Sequence, residues 1–419
     1  MARRFPGARR LAIDVSPLRE SVPYRALWIG QIVSLLGTQI RYVAVPYQVF
    51  QLTDSVLAVG LIGLAEVVPL IVFSILGGAW ADRTDRRGLV ARAHVAMMSA
   101  SVALAAVSLA ESPPVGAIYA LTALASAFDA VDRPARAAMI PSLVPPGKLP
   151  AAMALRQIVF HVTHIVGPLV GGVIIATLGL SWVYGLDAVT FLGGLASLRW
   201  VPPSRPDGVV EQSALDAVVE GLRFSFRTPL ILSVFVIDLV AMIFGMPRAV
   251  FPALAERTFG GGATTLSLLY ASVSAGALVA AVTSGWVGRV RRQGVAVLVA
   301  VAIWGAAITL AGLSLFSLAL TMALLSLAGA ADVVSAVFRG TMLQESTPDY
   351  LRGRVTAANL MVVTGGPRLG DVEAGIAASL VGAPGSVVVG GLACLAGTAA
   401  VAAVFPSLRD YRAGHQSSE

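Results

Sequence analysis

Asp129 and Asp332 stand in the middle of long apolar runs, and a carboxylate in such a place has few uses: it exchanges a proton, meets a cation, or is neutralised by a neighbouring base. They are not alone. Arg41, Glu66, Asp132, Arg136, Asp238, Arg339, Arg368, Asp371 and Glu373 also fall inside apolar stretches. Each such charge costs about 2.5–3.5 kcal/mol on insertion scales, so it is expected to face a watery cavity or a partner. Spacing assigns two partners at once, because Asp129 with Arg133 and Asp132 with Arg136 are i,i+4 pairs on a helix. Arg41 and Glu66 lie at similar depth and are expected to pair, whereas Asp238 has no evident local partner. Asp332 is flanked one turn away by Ala328 and Ala336, with no base in reach. That contrast favours Asp332 as the carboxylate that titrates, with Asp129 a structural or substrate contact. Taken singly, each charge reads equally well as structural, but the set does not.

A second concentration of charge is "GGAWADRTDRRGLV", residues 77–90, with Asp82, Arg83, Asp85, Arg86 and Arg87 packed into six positions between apolar runs. A tight turn between two helices is expected to use Gly78 for close approach, and Asp82 is an anion suited to the positive end of a helix. The plainer reading is that these charges only orient the chain. A third stretch, "HVTHIVGPLVGG" at residues 161–172, places His161, His164, Pro168 and Gly171 with Gln157 on one helical face, a smooth seam kinked at its centre. Its small residues serve tight packing at least. His161 and His164 have the chemistry of proton carriers near neutral pH, although a histidine satisfied by a neighbour is the commoner case.

The elements that must position these residues follow from composition. The 419 residues are 57% hydrophobic and 13% charged, against a usual charged share of about 25% in soluble domains. Runs of roughly 20 apolar residues, each enough to cross a bilayer as a helix, are expected at 26–48, 55–79, 89–110, 116–140, 151–177, 181–200, 229–252, 264–287, 294–314, 317–342, 355–381 and 384–405. Asp129 and Asp332 then lie about 16 Å from the ends of spans four and ten at 1.5 Å per residue. Of the 30 Lys and Arg residues, Arg257 alone falls in loops opposite the N-terminus, which places both termini in the cytoplasm by the positive-inside rule. The net charge of +7 is therefore a topology signal, with no nucleic-acid motif behind it. The opening "MARRFPGARR" reads as a cytoplasmic tail, and the first span is too long for a cleaved signal. The single cysteine, Cys394, excludes an intrachain disulfide, and no metal site or cofactor is expected.

The chain also repeats itself. Trp80, Arg83, Arg86 and Gly88 recur as Trp286, Arg289, Arg292 and Gly294. Asp129, Arg136, Met139 and Pro145 recur as Asp332, Arg339, Met342 and Pro348, and Gly167, Pro168 and Gly171 as Gly366, Pro367 and Gly370. Three echoes in order mean a duplicated six-helix unit. The expected organisation is a tail at 1–25, a six-helix bundle at 26–200, a linker at 201–228, a second bundle at 229–405 and a tail at 406–419. The linker's end, 213–226, is expected as an amphipathic surface helix.

Two parallel six-helix halves with this loop resemble the major facilitator superfamily, over nearly the whole chain. Gly78, Asp82, Arg83, Arg86 and Arg87 occupy the positions of its signature after the second helix, with Asp85 where Gly is frequent. "ADRTDRR" and "TPDYLRGRV" are similar to the subgroup of enterobactin exporters and macrolide efflux proteins. The resemblance implies a latch in which Asp82 meets the start of helix eleven while the site faces outward. Gly167, Pro168, Gly171 and Gly172 resemble the fifth-helix motif of antiporters, with Thr163 where a further Gly is usual, which favours export.

The expectation is an all-α integral membrane protein with twelve transmembrane helices in two pseudo-symmetric bundles. It is expected to export a small amphipathic molecule by alternating access, as a proton antiporter, and to work as a monomer in the cell membrane. Protonation of Asp129, Asp332 or Asp238 would bias its states, and Gln31, Ser34, Thr38 and Arg41 would line the path. A non-transporting receptor or scaffold of the same fold is the alternative. A primary pump is excluded, since no phosphate-binding Gly-rich loop with Lys-Ser/Thr exists and the sole lysine is Lys148. No catalytic set of nucleophile, base and oxyanion donors can be assembled, so no enzyme is expected.

Overall fold

The computed structural model describes residues 14–205 and 214–413. The N-terminal "MARRFPGARR", linker residues 206–213 and the last six residues lie outside them. A short helix α1 (Ser16–Glu20) leads into α2 (Val22–Thr53), α3 (Val56–Ala81), α4 (Arg86–Val107), α5 (Val115–Leu143), α6 (Leu149–Leu178) and α7 (Leu180–Ser197). The linker helix α8 (Ala214–Arg227) is followed by α9 (Pro229–Phe244), which continues through a short turn into α10 (Phe251–Ala253) and a π turn at Leu254–Thr258. Then come α11 (Gly262–Thr283), α12 (Gln293–Leu313), α13 (Leu318–Ser346), α14 (Arg352–Val404) and α15 (Pro406–Arg409).

Local chemistry sets many of these ends. The Ser21, Ser55 and Asp85 side chains accept the backbone N–H of Tyr24, Ala58 and Gly88 at 3.1, 3.2 and 3.0 Å, satisfying donors that a helix start leaves unpaired. Gly179, at φ 91° and ψ 174°, separates α6 from α7. Gly382, at φ 77° and ψ 164°, stands inside the 53-residue α14 and breaks it into two pieces. The two glycines stand at equivalent points of the internal repeat and hold nearly the same backbone conformation, one that side chains rarely adopt.

Among the described residues nine helical segments are long and apolar enough to cross a membrane, the last of them, Asp349–Val404, containing the Gly382 break. Helices α2 and α7 pack among them and are more polar, with Gln31, Gln39, Arg41 and Gln48 on α2 and Asp187 on α7. The result is an all-α, multi-pass membrane fold. Large apolar side chains such as Val68, Val102, Val189 and Leu380 cover its outside, as lipid requires of a surface with no water to meet.

Within the first half of the chain α2 packs on α6 and α7, α4 on α5 and α7, and α3 on α5; in the second, α12 and α11 pack on α13, and α14 on α9 and α12. The halves meet along two seams, α3 with α14 and α6 with α11. The linker helix α8 lies against both α14 and α3. Because successive helices reverse direction, one face of the bundle carries α1, the 82–85 turn, α8 and α15. This is called the basic face below, and its opposite the far face.

Candidate functional site

Small residues let the helices that carry the charges come together. A Cβ on Gly167 would sit 2.3 Å from Gln39 Cβ, and one on Gly171 3.0 Å from the Ile40 carbonyl oxygen, so α6 lies directly on α2. Gly366 and Gly370 do the same for α14 on α9, where a Cβ on Gly370 would be 2.3 Å from the Met242 oxygen. The sequence echo is thus an echo of packing. Gly172 serves another seam, facing Ser267 and the Ala263 carbonyl of α11, while Pro168 is accommodated inside α6. Thr163 is buried and donates to the Val159 carbonyl at 2.8 Å.

Between the halves, the charges at mid-depth form a ceiling. Arg368 Nε donates to Glu66 Oε2 at 2.9 Å, joining α14 to α3. Arg248, just past α9, donates to Asp371 Oδ2 at 2.7 Å and to the Tyr42 hydroxyl of α2, with its guanidinium over the Tyr42 ring. Tyr42 in turn meets Tyr270 of α11 edge to face. Nearer the far face, Tyr47 donates to Glu256 Oε1 at 2.7 Å, Gln51 donates to the same oxygen, and Arg257 pairs with Asp54. Among the described residues, these polar contacts between 22–197 and 229–404 run from mid-depth, at Glu66 and Arg368, to the far face. A cavity of about 60 Å³ opens on the basic side between α13 and α14, lined by Gln344, Thr347, Arg352 and Thr356 among others, away from these charges.

Inside the first half, Arg136 donates to Asp132 at 2.9 Å and lies against His94, whose Nε2 is 3.4 Å from Asp132. Arg133 pairs with Asp129 at 2.6 Å. In the second half Arg339 pairs with Asp238 and stands 3.7 Å from Asp332. His164 is held by the Phe160 carbonyl at 2.8 Å and by the Gln39 amide, and His161 packs edge-on against the Phe160 ring.

Both expected i,i+4 pairs are present, but other expectations need correction. Arg41 does not pair with Glu66: it points into the first half, 3.0 Å from both Asp187 of α7 and Ser101 of α4, while Glu66 faces α14. Arg41 and Ser34 are accordingly buried between helices in this conformation. Asp238 has a partner, Arg339, from a helix distant in sequence. Asp332 does have a base, two turns along its own helix, beyond the one-turn window that the spacing argument used. Gly78 has open space where a Cβ would go, and Gly77 is the close approach, 2.8 Å from Val131 Cα. The load on α14 divides: Arg368 and Asp371 bind the other elements, and Glu373 takes no polar partner among the described residues.

The charged turn does more than orient the chain. Asp85, besides capping α4, accepts the Ser204 N–H at 2.8 Å, so it ties the start of the linker to this turn. Arg86 donates to the carbonyls of Ala81 and Ala138, closing the end of α3 onto α5. Asp82 caps the end of α3 through its backbone and its side chain makes no polar contact among the described residues. Arg83 is exposed and Arg87 half-buried. Sequence reasoning missed Arg248, Asp187, His94 and Glu256. For Arg248 a signal existed, a lone arginine between Pro247 and Pro252 inside an apolar run.

Charges at mid-depth that, among the described residues, tie the two halves of the chain together toward the far face fit a secondary transporter of small molecules that works by alternating access. The chain belongs to the transmembrane secretion effector family of major facilitator proteins, whose model it matches over residues 12–418. It is 29% identical over 343 residues to the enterobactin exporter EntS of Shigella boydii serotype 18, and 28% identical to EntS of Escherichia coli O157:H7, in each case over 82% of both chains. Solved structures share the fold at low identity. A POT family transporter in complex with 5-aminolevulinic acid superposes with TM-score 0.70 at 11% identity, covering 92% of this chain and 96% of its own. A bacterial homologue of the iron transporter ferroportin in an inward-facing state gives 0.69 at 16%, covering 93% and 98%.

Proposed function

We propose that this protein exports a small amphipathic molecule, a drug, antibiotic or siderophore, from the cytoplasm against inward proton flow. The observation that carries this reading is the closure of the two halves on the far side alone, through ion pairs that a rocking motion must break. With the basic face in the cytoplasm, together with both termini, as the arginine distribution favours, the closed far face is the outer one, and the state described is open toward the cytoplasm.

Twelve spans in two six-helix bundles, 26–200 and 229–405, fit this reading: the nine apolar segments, α2, α7, and the division of α14 at Gly382. Asp82, whose side chain has no polar partner among the described residues, would meet the start of α14 once the basic face closes, with Gly78, Arg83, Arg86 and Arg87 shaping the turn. Export of a siderophore-like substrate is favoured by the likeness to the enterobactin exporters, and proton antiport by the carboxylates at mid-depth, among them Asp129, Asp238 and Asp332. A single chain is a sufficient transport unit, because both gates lie within it. A silent receptor of the same fold has no need for charges at mid-depth in both halves.

Inside-out vesicles with an acidic lumen test it, using iron-free enterobactin and a macrolide as probes. The expected result is accumulation above the control membranes that collapses when nigericin dissipates the pH difference. Uptake indifferent to nigericin overturns the proton coupling. No uptake of either probe by well-inserted protein overturns the substrate class.

A further inference from the structure

The two halves handle the same buried arginine differently. Arg136 of α5 and Arg339 of α13 occupy equivalent positions of the repeat, and both are 6% exposed. Around Arg136 each carboxylate has its own arginine: Asp132 pairs with Arg136, and Asp129 pairs with Arg133, with the His94 imidazole beside the first pair. In the second half, the repeat puts Asp332 at the position of Asp129, Ser335 at that of Asp132, and Ala336 at that of Arg133. The second arginine is missing. A second carboxylate is nevertheless present, since Asp238 enters from α9 to pair with Arg339.

Two carboxylates therefore share one guanidinium, a surplus of one negative charge where desolvation makes an uncompensated ion costly. The charged groups acting on Asp332 are Arg339 and Asp238. Of the other elements packed on α13, helices α11 and α12 contain no Asp, Glu, Lys, Arg or His between 262 and 283 or between 293 and 313, and the 284–289 turn brings one charged residue, Arg289, at its end. Asp238 Oδ2 and Ser335 Oγ are buried with no hydrogen-bond partner among the described residues. The Asp332 side chain is 33% exposed and that of Asp238 only 4%, which gives the cluster an open end and a closed one.

We propose that Asp238, Asp332 and Arg339 form the proton-binding site of this transporter, with Asp332 the entrance, and that the first-half cluster around Arg136, where each carboxylate has its own arginine, is its charge-balanced counterpart. The proposal rests on the reading of the protein as a proton-coupled exporter. A proton arriving at a carboxylate oxygen of Asp332 removes the surplus charge and leaves Arg339 to pair with Asp238 alone. Its departure restores the competition for one guanidinium.

The test uses purified full-length protein in nanodiscs, with nitroxide labels at Thr53 and Gly260 reporting the distance across the far face as pH varies. Wild type is expected to shift its distance distribution with pH. Asp332→Asn and Asp238→Asn, which remove the surplus charge permanently, are expected to stay at the acid-limit distribution at every pH. Ala336→Arg, at an exposed position, rebuilds the first-half arrangement and is expected to abolish the shift as well, without removing any native contact. Asp129→Asn is expected to keep the shift. The proposal is overturned if both Asn variants and Ala336→Arg respond like wild type, if Asp129→Asn abolishes the response, or if sodium at fixed pH drives the shift in place of protons. A wild-type protein that ignores pH overturns the coupling itself, an outcome distinct from a responsive wild type whose variants also respond.

Discussion

At the residue scale, the adjacent glycines at the end of α3 show how little sequence adjacency says about role. Gly77 faces Val131 of α5, and a Cβ there would lie 2.8 Å from a backbone carbon that cannot swing aside. Gly78 faces open space in a helical conformation, so a methyl group there meets nothing and gains helix propensity, about 0.8–1 kcal/mol relative to Gly. Gly77→Ala and Gly78→Ala should therefore move stability in opposite directions. Overpacking lowers it by about 1–3 kcal/mol in the first, and the second is unchanged or slightly stabilised. Thermal unfolding of the two purified variants in one detergent gives the comparison, and equal melting temperatures would contradict the assignment of Gly77 as the packing residue. Asp85 carries the same lesson. A hydrophobicity pattern offers no hint that its carboxylate joins a cap to the Ser204 backbone, because that contact depends on where the chain returns after α7.

At the element scale, the helices were legible because their signals are local: long apolar runs, Ser and Asp caps, and a repeat that preserves small residues where helices cross. The pairing of charges was legible only within one helix. Asp129 with Arg133 follows from the 3.6-residue period, while Arg41 with Asp187, Glu66 with Arg368 and Asp238 with Arg339 depend on which helices neighbour each other, which the period does not encode. The linker helix is a case between the two. Its amphipathic pattern predicts a surface helix, yet it also docks on α14. A Cβ on Gly221 would lie 2.4 Å from the Arg354 carbonyl oxygen, and Glu220 pairs with Arg354. A helix seated between α3 and the start of α14 stands beside the place where the proposed Asp82 latch must close. Gly221→Leu should lift α8 off α14, seen as greater mobility of a nitroxide at the exposed Val219, while the melting temperature of the bundle changes little. Unchanged mobility would mean that α8 is held by other contacts.

At the scale of the whole molecule, the question is which contacts keep the far face shut, and magnitudes decide it. The Arg257 and Asp54 side chains are 51% and 77% exposed, so their pair contributes about 0–1 kcal/mol. Arg368 and Glu66 are each 18% exposed and join α14 to α3 at mid-depth. Removing one partner of such a pair leaves the other charge desolvated and uncompensated, a loss of up to about 3–5 kcal/mol in fully buried cases. Asp54→Asn should then shift the balance between closed and open far faces by less than about fivefold, since tenfold corresponds to about 1.4 kcal/mol. Arg368→Gln should shift it toward the open form by tenfold or more, because Glu66 gains solvent only when the halves part. Cysteines at Tyr47 and Glu256, whose native side-chain tips are 2.7 Å apart, provide the readout through their rate of bridging by a short bifunctional thiol reagent, measured alone and with each substitution. A large fall in rate with Arg368→Gln and a small one with Asp54→Asn is the expected pattern. The reverse order would place the closing energy at the exposed rim and remove the mid-depth ion pairs from the gate.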